Sequence, residues 1–304
     1  MENVVILGDG IAGLSAAIYA ARANLNPVLV TGYESGGQLM WTTDVENYPG
    51  FPEGVLGPEL IERMRKQAER FGARFLSKRC ESVKGEEHAW ECDLGDETIT
   101  TKTIIIATGA TARVLGLEAE KTYMGRGIST CATCDGAFTK DKKVIVIGGG
   151  DSAMEESTFL TKFAEHVTII HRSDAFRASK IMQERALKNP KISVEWNSRV
   201  IDVTGDGTKV TGATLETPEG ERAIETDFVF YAIGHIPNTS FVDGLVEIDE
   251  RFKTIITDEK YMTSKRGIFA CGDVQDPIWK QAVTAAGTGA AAAISAERYL
   301  AEHE

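Results

Sequence analysis

Several things are scarce in this 304-residue chain, and each shortage excludes a class. Cysteine is both sparse and odd in number, at five, so the chain is not a secreted disulfide scaffold. Positive charge is in deficit: 33 Lys and Arg stand against 45 Asp and Glu, a net charge of −12. That balance argues against non-specific binding to nucleic acid or to anionic membrane. No apolar run approaches the roughly 18 residues of a transmembrane helix. Met1-Glu2-Asn3 leads straight into an apolar strand, so no signal peptide is expected. With 42% hydrophobic and 26% charged residues, disorder, collagen and coiled coil are excluded as well. The expectation is a soluble, cytoplasmic protein, and the length suggests two domains.

What is present is a repeat. Val4-Val5-Ile6-Leu7 runs into Gly8-Asp9-Gly10-Ile11-Ala12-Gly13 and then an Ala-rich helical stretch, Leu14 to Ala23. The same grammar returns as Val144-Ile145-Val146-Ile147, then Gly148-Gly149-Gly150-Asp151-Ser152-Ala153 and a helical stretch through Phe163. Each unit has a later apolar strand that ends in glycine, at Gly109 and at Gly234. In a strand–GxGxxG–helix unit the first glycine makes the turn and the second admits a pyrophosphate. The third position lets helix and strand pack closely, and free N–H groups at the helix start attract phosphate. The second loop is the variant with Ala153 at its third position. Asp9 is unusual beside a phosphate, so its carboxylate is expected to turn away, to cap the helix or to meet solvent.

The segment after Gly234 has no nucleotide loop of its own, only Gly267-Ile268-Phe269-Ala270-Cys271-Gly272-Asp273 and an Ala-rich helix to about Glu302. The simplest arrangement is an α/β fold of two Rossmann-like dinucleotide-binding domains, the second inserted into the first. Residues 1–112 plus 245–304 would form one domain and residues 113–244 the other.

About 20 residues past each loop lies the position that reads the ribose. In the second unit the strand ends in His171-Arg172-Ser173-Asp174-Ala175-Phe176-Arg177. Arginines there, in place of an acid, suit a 2′-phosphate and favour NADP over NAD. Between the units lies Cys131-Ala132-Thr133-Cys134-Asp135. A zinc site needs about four ligands, and no second CxxC or CxxH exists. A redox dithiol is the sharper reading: close thiols form a disulfide easily, and Asp135 could move a proton to or from the departing thiolate. Two nucleotide sites and a dithiol make an electron path from nicotinamide through a flavin to a disulfide.

On these residues the chain resembles the low-molecular-weight, bacterial and plant-type thioredoxin reductase family. The resemblance spans nearly the whole chain. It extends through Thr31-Gly32-Tyr33-Glu34-Ser35-Gly36-Gly37-Gln38-Leu39, Glu46-Asn47-Tyr48-Pro49-Gly50 and Ala107-Thr108-Gly109-Ala110, and closes with Gly272-Asp273-Val274 and Gln281-Ala282-Val283. It implies FAD on Gly8, Gly10, Gly13, Thr31, Gly32, Gly37, Gln38, Asn47, Gly109, Gly272, Asp273, Gln281 and Ala282. It implies NADPH on Gly148, Gly150, Asp151, Ser152, Ala153, His171, Arg172 and Arg177. By the same analogy Cys134 lies nearer the flavin, Cys131 attacks the disulfide of thioredoxin, Asp135 is the acid/base, and the protein is a homodimer. Three positions depart from the family pattern. Ser173 replaces the second arginine of His-Arg-Arg, Asp9-Gly10-Ile11 replaces a small residue and proline, and Lys280 replaces an arginine. A same-fold dithiol oxidase, an NADH- or ferredoxin-linked reductase and a flavin redox sensor without turnover are the alternatives.

Overall fold

The computed structural model describes residues 1–33, 35–42 and 44–303; Glu34, in the Thr31–Leu39 stretch quoted above, lies outside the described residues with Thr43 and Glu304. The chain divides into two compact units, Met1–Thr111 with Ile236–Glu304, and Ala112–His235. The second crossing falls before 236, whereas the sequence places it before 245. The reason is local: Val242 and Val246 are buried in the core of the first unit.

The first unit is built on a seven-stranded sheet. Strands Arg74–Leu76, Val28–Val30, Glu2–Leu7 and Thr98–Ile106 run parallel in that order. Strand Thr98–Ile106 forks the sheet. Its first half alternates (Thr98-Ile99-Thr100) and pairs antiparallel with Ala89–Asp93. Its second half, Ile104-Ile105-Ile106, is fully buried and pairs parallel with Ile268–Ala270 from the chain's tail. Alternation suits a half-solvated antiparallel strand, and a continuous apolar run suits a parallel strand covered on both faces. Helix Ile11–Arg22 lies against helix Ala282–Ala301 through small residues. A Cβ on Gly289 would come 2.2 Å from the Ala12 carbonyl oxygen, so these helices meet backbone to backbone.

The second unit has a five-stranded parallel sheet in the order Ile128–Ser129, Phe228–Ala232, Lys143–Gly148, His166–Ile170, Ile192–Glu195. A three-stranded antiparallel sheet, Arg199–Gly205, Val210–Thr217 and Gly220–Glu225, completes it. In each unit a helix starts at the carboxyl end of an interior strand, where open α/β sheets bind their ligands.

Candidate active site

The first glycine loop joins strand Glu2–Leu7 to helix Ile11–Arg22. A Cβ on Gly8 would lie 2.4 Å from the Ala107 carbonyl oxygen, and one on Gly13 would lie 1.9 Å from that of Gly8. Gly10 has nothing within 4 Å of such a Cβ, and as N-cap it makes no side-chain cap. The loop is therefore closed at its back and open at its front, beside the uncapped N–H groups of the helix. The turn at Gly37 leans over it: a Cβ there would lie 3.3 Å from the Gly10 Cα. Asp9 does turn away from the loop, yet it neither caps the helix nor meets solvent. It is buried, accepts hydrogen bonds from the Ser35 hydroxyl and from Gly36 N–H (2.9 Å), and has Arg65 at 3.8 Å.

The other expected residues of this unit fall into four groups. Buried Thr31 and the open Gly32 end the neighbouring strand. Gln38 donates to the Ala110 carbonyl at 2.7 Å, and Gly109 accepts from Asn238 N–H at 3.0 Å. Asn47 donates to Gln281 at 3.2 Å, and Gln281 forms a capping box with Thr284 at the start of helix Ala282–Ala301. Gly272 sits at φ +71°, where a Cβ would press on the Ala12 side chain. Burial raises the Asp273 carboxyl to about 6, with Asp276 adding to the rise.

The second loop repeats the first. A Cβ on Gly148 would lie 2.5 Å from the Ala232 carbonyl oxygen, Gly150 faces open space, and buried Ala153 occupies the third position. Here, too, the N-cap Gly150 makes no side-chain cap. His171 is placed differently from a phosphate ligand. It is buried beneath Gly149, with Nδ1 2.9 Å from Gly148 O and Nε2 3.0 Å from Ala175 O. Both ring nitrogens are engaged with backbone, so the ring braces the loop from below. Arg177 N–H donates to Gly149 O at 2.8 Å, which fastens the following turn to the loop. Arg172 and Arg177 are exposed on that turn, and neither guanidinium has an ion-pair partner among the described residues. Asp151 accepts from Ser179 N–H at 2.7 Å, and Ser152 is exposed.

Also in the second unit, Cys131 and Cys134 form a disulfide with their Cα atoms 5.3 Å apart. Cys131 is the N-cap of the short helix Ala132–Asp135, and its sulfur accepts from Cys134 N–H at 3.2 Å. Ser129 Oγ accepts Cys131 N–H at 3.1 Å and donates to the Cys131 carbonyl at 3.4 Å. Burial raises the proton affinity of Asp135, and the neighbouring Ser129 hydroxyl partly opposes it. Cys80, Cys92 and Cys271 are free thiols. Ser129 has no signal in the sequence that would single it out.

Residues 2–289 match the family described as pyridine nucleotide-disulphide oxidoreductase. The chain belongs to that family. It is 50% identical over 306 residues to the thioredoxin reductase of Mycolicibacterium smegmatis, covering 100% of this chain and 98% of that one. It is also 50% identical to the thioredoxin reductase of Rickettsia bellii, with 98% of each covered. The crystal structure of thioredoxin reductase from Streptococcus pyogenes superposes with a TM-score of 0.96 at 40% identity, covering 99% of both chains. Within the pyridine nucleotide-disulphide oxidoreductases, two loops shaped like these fit two dinucleotides: closed glycines behind, open glycines in front, and uncapped N–H groups at each helix start.

Proposed function

We infer that this chain is an NADPH-dependent thioredoxin-disulfide reductase that carries FAD. The observation that carries the reading is the Cys131–Cys134 disulfide, set at the start of a helix with half-buried Asp135 beside it. Full-length similarity to thioredoxin reductases supports it.

In this reading the first unit holds FAD and the second holds NADPH. Gly8, Gly10 and Gly13 would cradle one pyrophosphate, and Gly148, Gly150 and Ala153 the other. Gln38, Asn47, Asp273, Gln281 and Ala282 would line the flavin side. Arg172 and Arg177 would clamp the 2′-phosphate, with His171 holding the loop from below. Bound FAD supplies the relay, taking an electron pair from the nicotinamide and giving it to a disulfide.

The chain's own sulfurs then exchange with the substrate. The Cys131 thiolate attacks one sulfur of the thioredoxin disulfide; a mixed disulfide forms and a thioredoxin thiolate leaves. Cys134 next attacks Cys131, which restores the internal disulfide and releases the second thiol. The Cys134 N–H at 3.2 Å favours negative charge on Cys131. Asp135, whose burial favours its protonated form, gives a proton to a leaving thiolate.

We also propose a homodimer in the cytoplasm. The first unit exposes Met40, Trp41, Leu56, Ile278 and Trp279, which a second copy would cover. Three free thiols suit a reducing compartment. Among the described residues no helix is long and apolar enough to cross a membrane.

The test is an anaerobic titration of the flavin-loaded protein with NADPH and, separately, NADH, followed by addition of oxidised thioredoxin. Flavin bleaching by NADPH and reoxidation by thioredoxin are expected. Bleaching by NADH alone would change the donor, and silence with both would overturn the nicotinamide assignment.

A further inference from the structure

The C-terminal end of the chain closes on a hairpin turn through a cluster that the reaction above leaves unused. Strands Ser82–Glu86 and Ala89–Asp93 are joined by Glu87 and His88 alone. Against this turn lie Tyr299, near the end of helix Ala282–Ala301, and His303 just past it. Tyr299 stacks on His88 with ring centroids 5.4 Å apart, and the two imidazoles are 5.0 Å apart. One ligating atom from each of Glu87, His88 and His303 falls within 4.8 Å of the other two. Ligands on a tetrahedral zinc ion sit about 3.3 Å apart, so small rotations of these surface side chains bring all three onto one ion.

The tautomer of His303 is already the one a metal needs. Its Nε2 lies 3.0 Å from the Arg266 guanidinium, which can only donate, so Nε2 carries a lone pair. The proton is then on Nδ1, which donates to the Tyr299 carbonyl at 2.6 Å. A metal-bound histidine is oriented in the same way, through its second nitrogen. Glu87 is held likewise, since the Tyr299 hydroxyl donates to its Oε1 at 2.7 Å. Arg266 Nε donates to that same oxygen at 2.7 Å, so one guanidinium takes lone pairs of both Glu87 and His303. It stands where a cation would, yet its side chain is 62% exposed and can swing out into solvent. A cavity of about 110 Å³, lined by Met1, His88, Lys102, Leu300 and His303, adjoins both imidazoles and has room for a water as fourth ligand.

We propose that Glu87, His88 and His303 form a binding site for a divalent transition-metal ion of the zinc class, with Arg266 as a built-in competitor for the same lone pairs. Two imidazoles and a carboxylate are a donor set that such ions take, whereas magnesium and calcium prefer oxygen throughout. The bound ion ties the end of the last helix to the hairpin. None of the three residues belongs to a glycine loop or to the Cys131–Cys134 pair, so the site does not depend on the redox reading.

The experiment is a calorimetric titration of zinc chloride into the untagged, flavin-loaded, full-length protein, kept oxidised so that the Cys131–Cys134 disulfide offers no thiolate. H88N, H303Q and R266A are titrated beside wild type, and each is melted with and without zinc. H88N removes the imidazole but keeps a residue that tolerates the His88 φ of +67°. Wild type is expected to take up a single ion per chain and to melt higher with zinc, because the ion binds the folded chain alone. H88N and H303Q should each bind zinc at least about tenfold more weakly, since losing a mere supporting contact already costs about 10- to 100-fold. R266A should bind about tenfold more tightly, because the competing hydrogen bonds and the positive charge are gone. A wild type that takes up no zinc overturns the proposal. So does an affinity that H88N and H303Q leave unchanged, which would place the ion on Cys80, Cys92 or Cys271. If one histidine variant gives no cooperative melt, the other decides alone. An R266A that binds no more tightly than wild type overturns the competitor role of Arg266.

Discussion

In both units the first glycine of the loop lies against a strand carbonyl, Gly8 against Ala107 and Gly148 against Ala232. Behind that shared turn the two loops are braced by different means. In the first unit the brace comes from the chain's far end: Gly272 rests on Ala12, and Gly289 of the last helix meets the Ala12 carbonyl. In the second unit it is one aromatic ring, His171, wedged under Gly149. Small residues from the C-terminal segment therefore decide the first loop, and a nearby side chain decides the second. The turns that follow differ as well. Thr31-Gly32 is uncharged, whereas the segment after His171 offers two guanidinium groups. Sulfur chemistry is confined to the second unit, because Cys80, Cys92 and Cys271 in the first form no disulfide.

The largest expected effect breaks that last contrast. Cys131→Ser should reduce thioredoxin turnover to background, since in the proposed reaction Cys131 is the sulfur that starts the exchange. Flavin content and bleaching by NADPH should survive, as the two glycine loops are untouched. Loss of bound flavin in this variant would show that the two functions are not separable.

Next in size is the third loop position, where the units differ in the space they leave. Gly13→Val drives side-chain atoms into the Gly8 carbonyl, 1.9 Å from the Cβ position, and a clash with backbone cannot relax cheaply. We expect a cost above about 3 kcal/mol and loss of flavin, measured by melting and by absorbance of the purified protein. The matched change in the second unit, Ala153→Gly, should cost only about 1 kcal/mol.

The basic turn gives the third prediction. Arg172→Ala or Arg177→Ala removes a charge-assisted contact to the 2′-phosphate, worth roughly 1.5–3 kcal/mol. The KM for NADPH should rise about 10- to 100-fold while that for NADH stays put. An equal rise for both nucleotides would mean that the arginines hold the loop and not the phosphate.

How much of this is legible in the sequence depends on the range of each interaction. Glycine spacing is local, so both loops, their flanking strands and the Cys131–Cys134 pair can be read directly. His171 sits at the position expected to meet a phosphate, but which way its ring turns depends on Gly148 and Ala175 carbonyls that only the fold assembles. Asp9 is similar: its turning away can be read from electrostatics, while its buried partners Ser35 and Gly36 cannot. Ser129 is hidden altogether: a serine ahead of the cysteine pair carries no pattern, and only the fold brings its hydroxyl to the Cys131 N–H.

The smallest effect concerns the acid that ends the first unit's tail strand. Burial raises Asp273 to about 6, against an ordinary value near 3.8. A carboxyl raised in the native state binds its proton more tightly there than in the unfolded chain. Its contribution to stability is therefore fully present below about pH 4, is lost as pH climbs to about 6, and is flat above that. That rise corresponds to at most about 3 kcal/mol, and solvent reaching the carboxyl reduces this to about 1–2 kcal/mol. Flavin-free wild-type protein should thus lose stability relative to Asp273→Asn between pH 4.5 and 7.5, measured by urea melts of both at each pH. A difference between wild type and Asp273→Asn that stays constant across that range would mean that the fold does not hold the Asp273 carboxyl above its ordinary value.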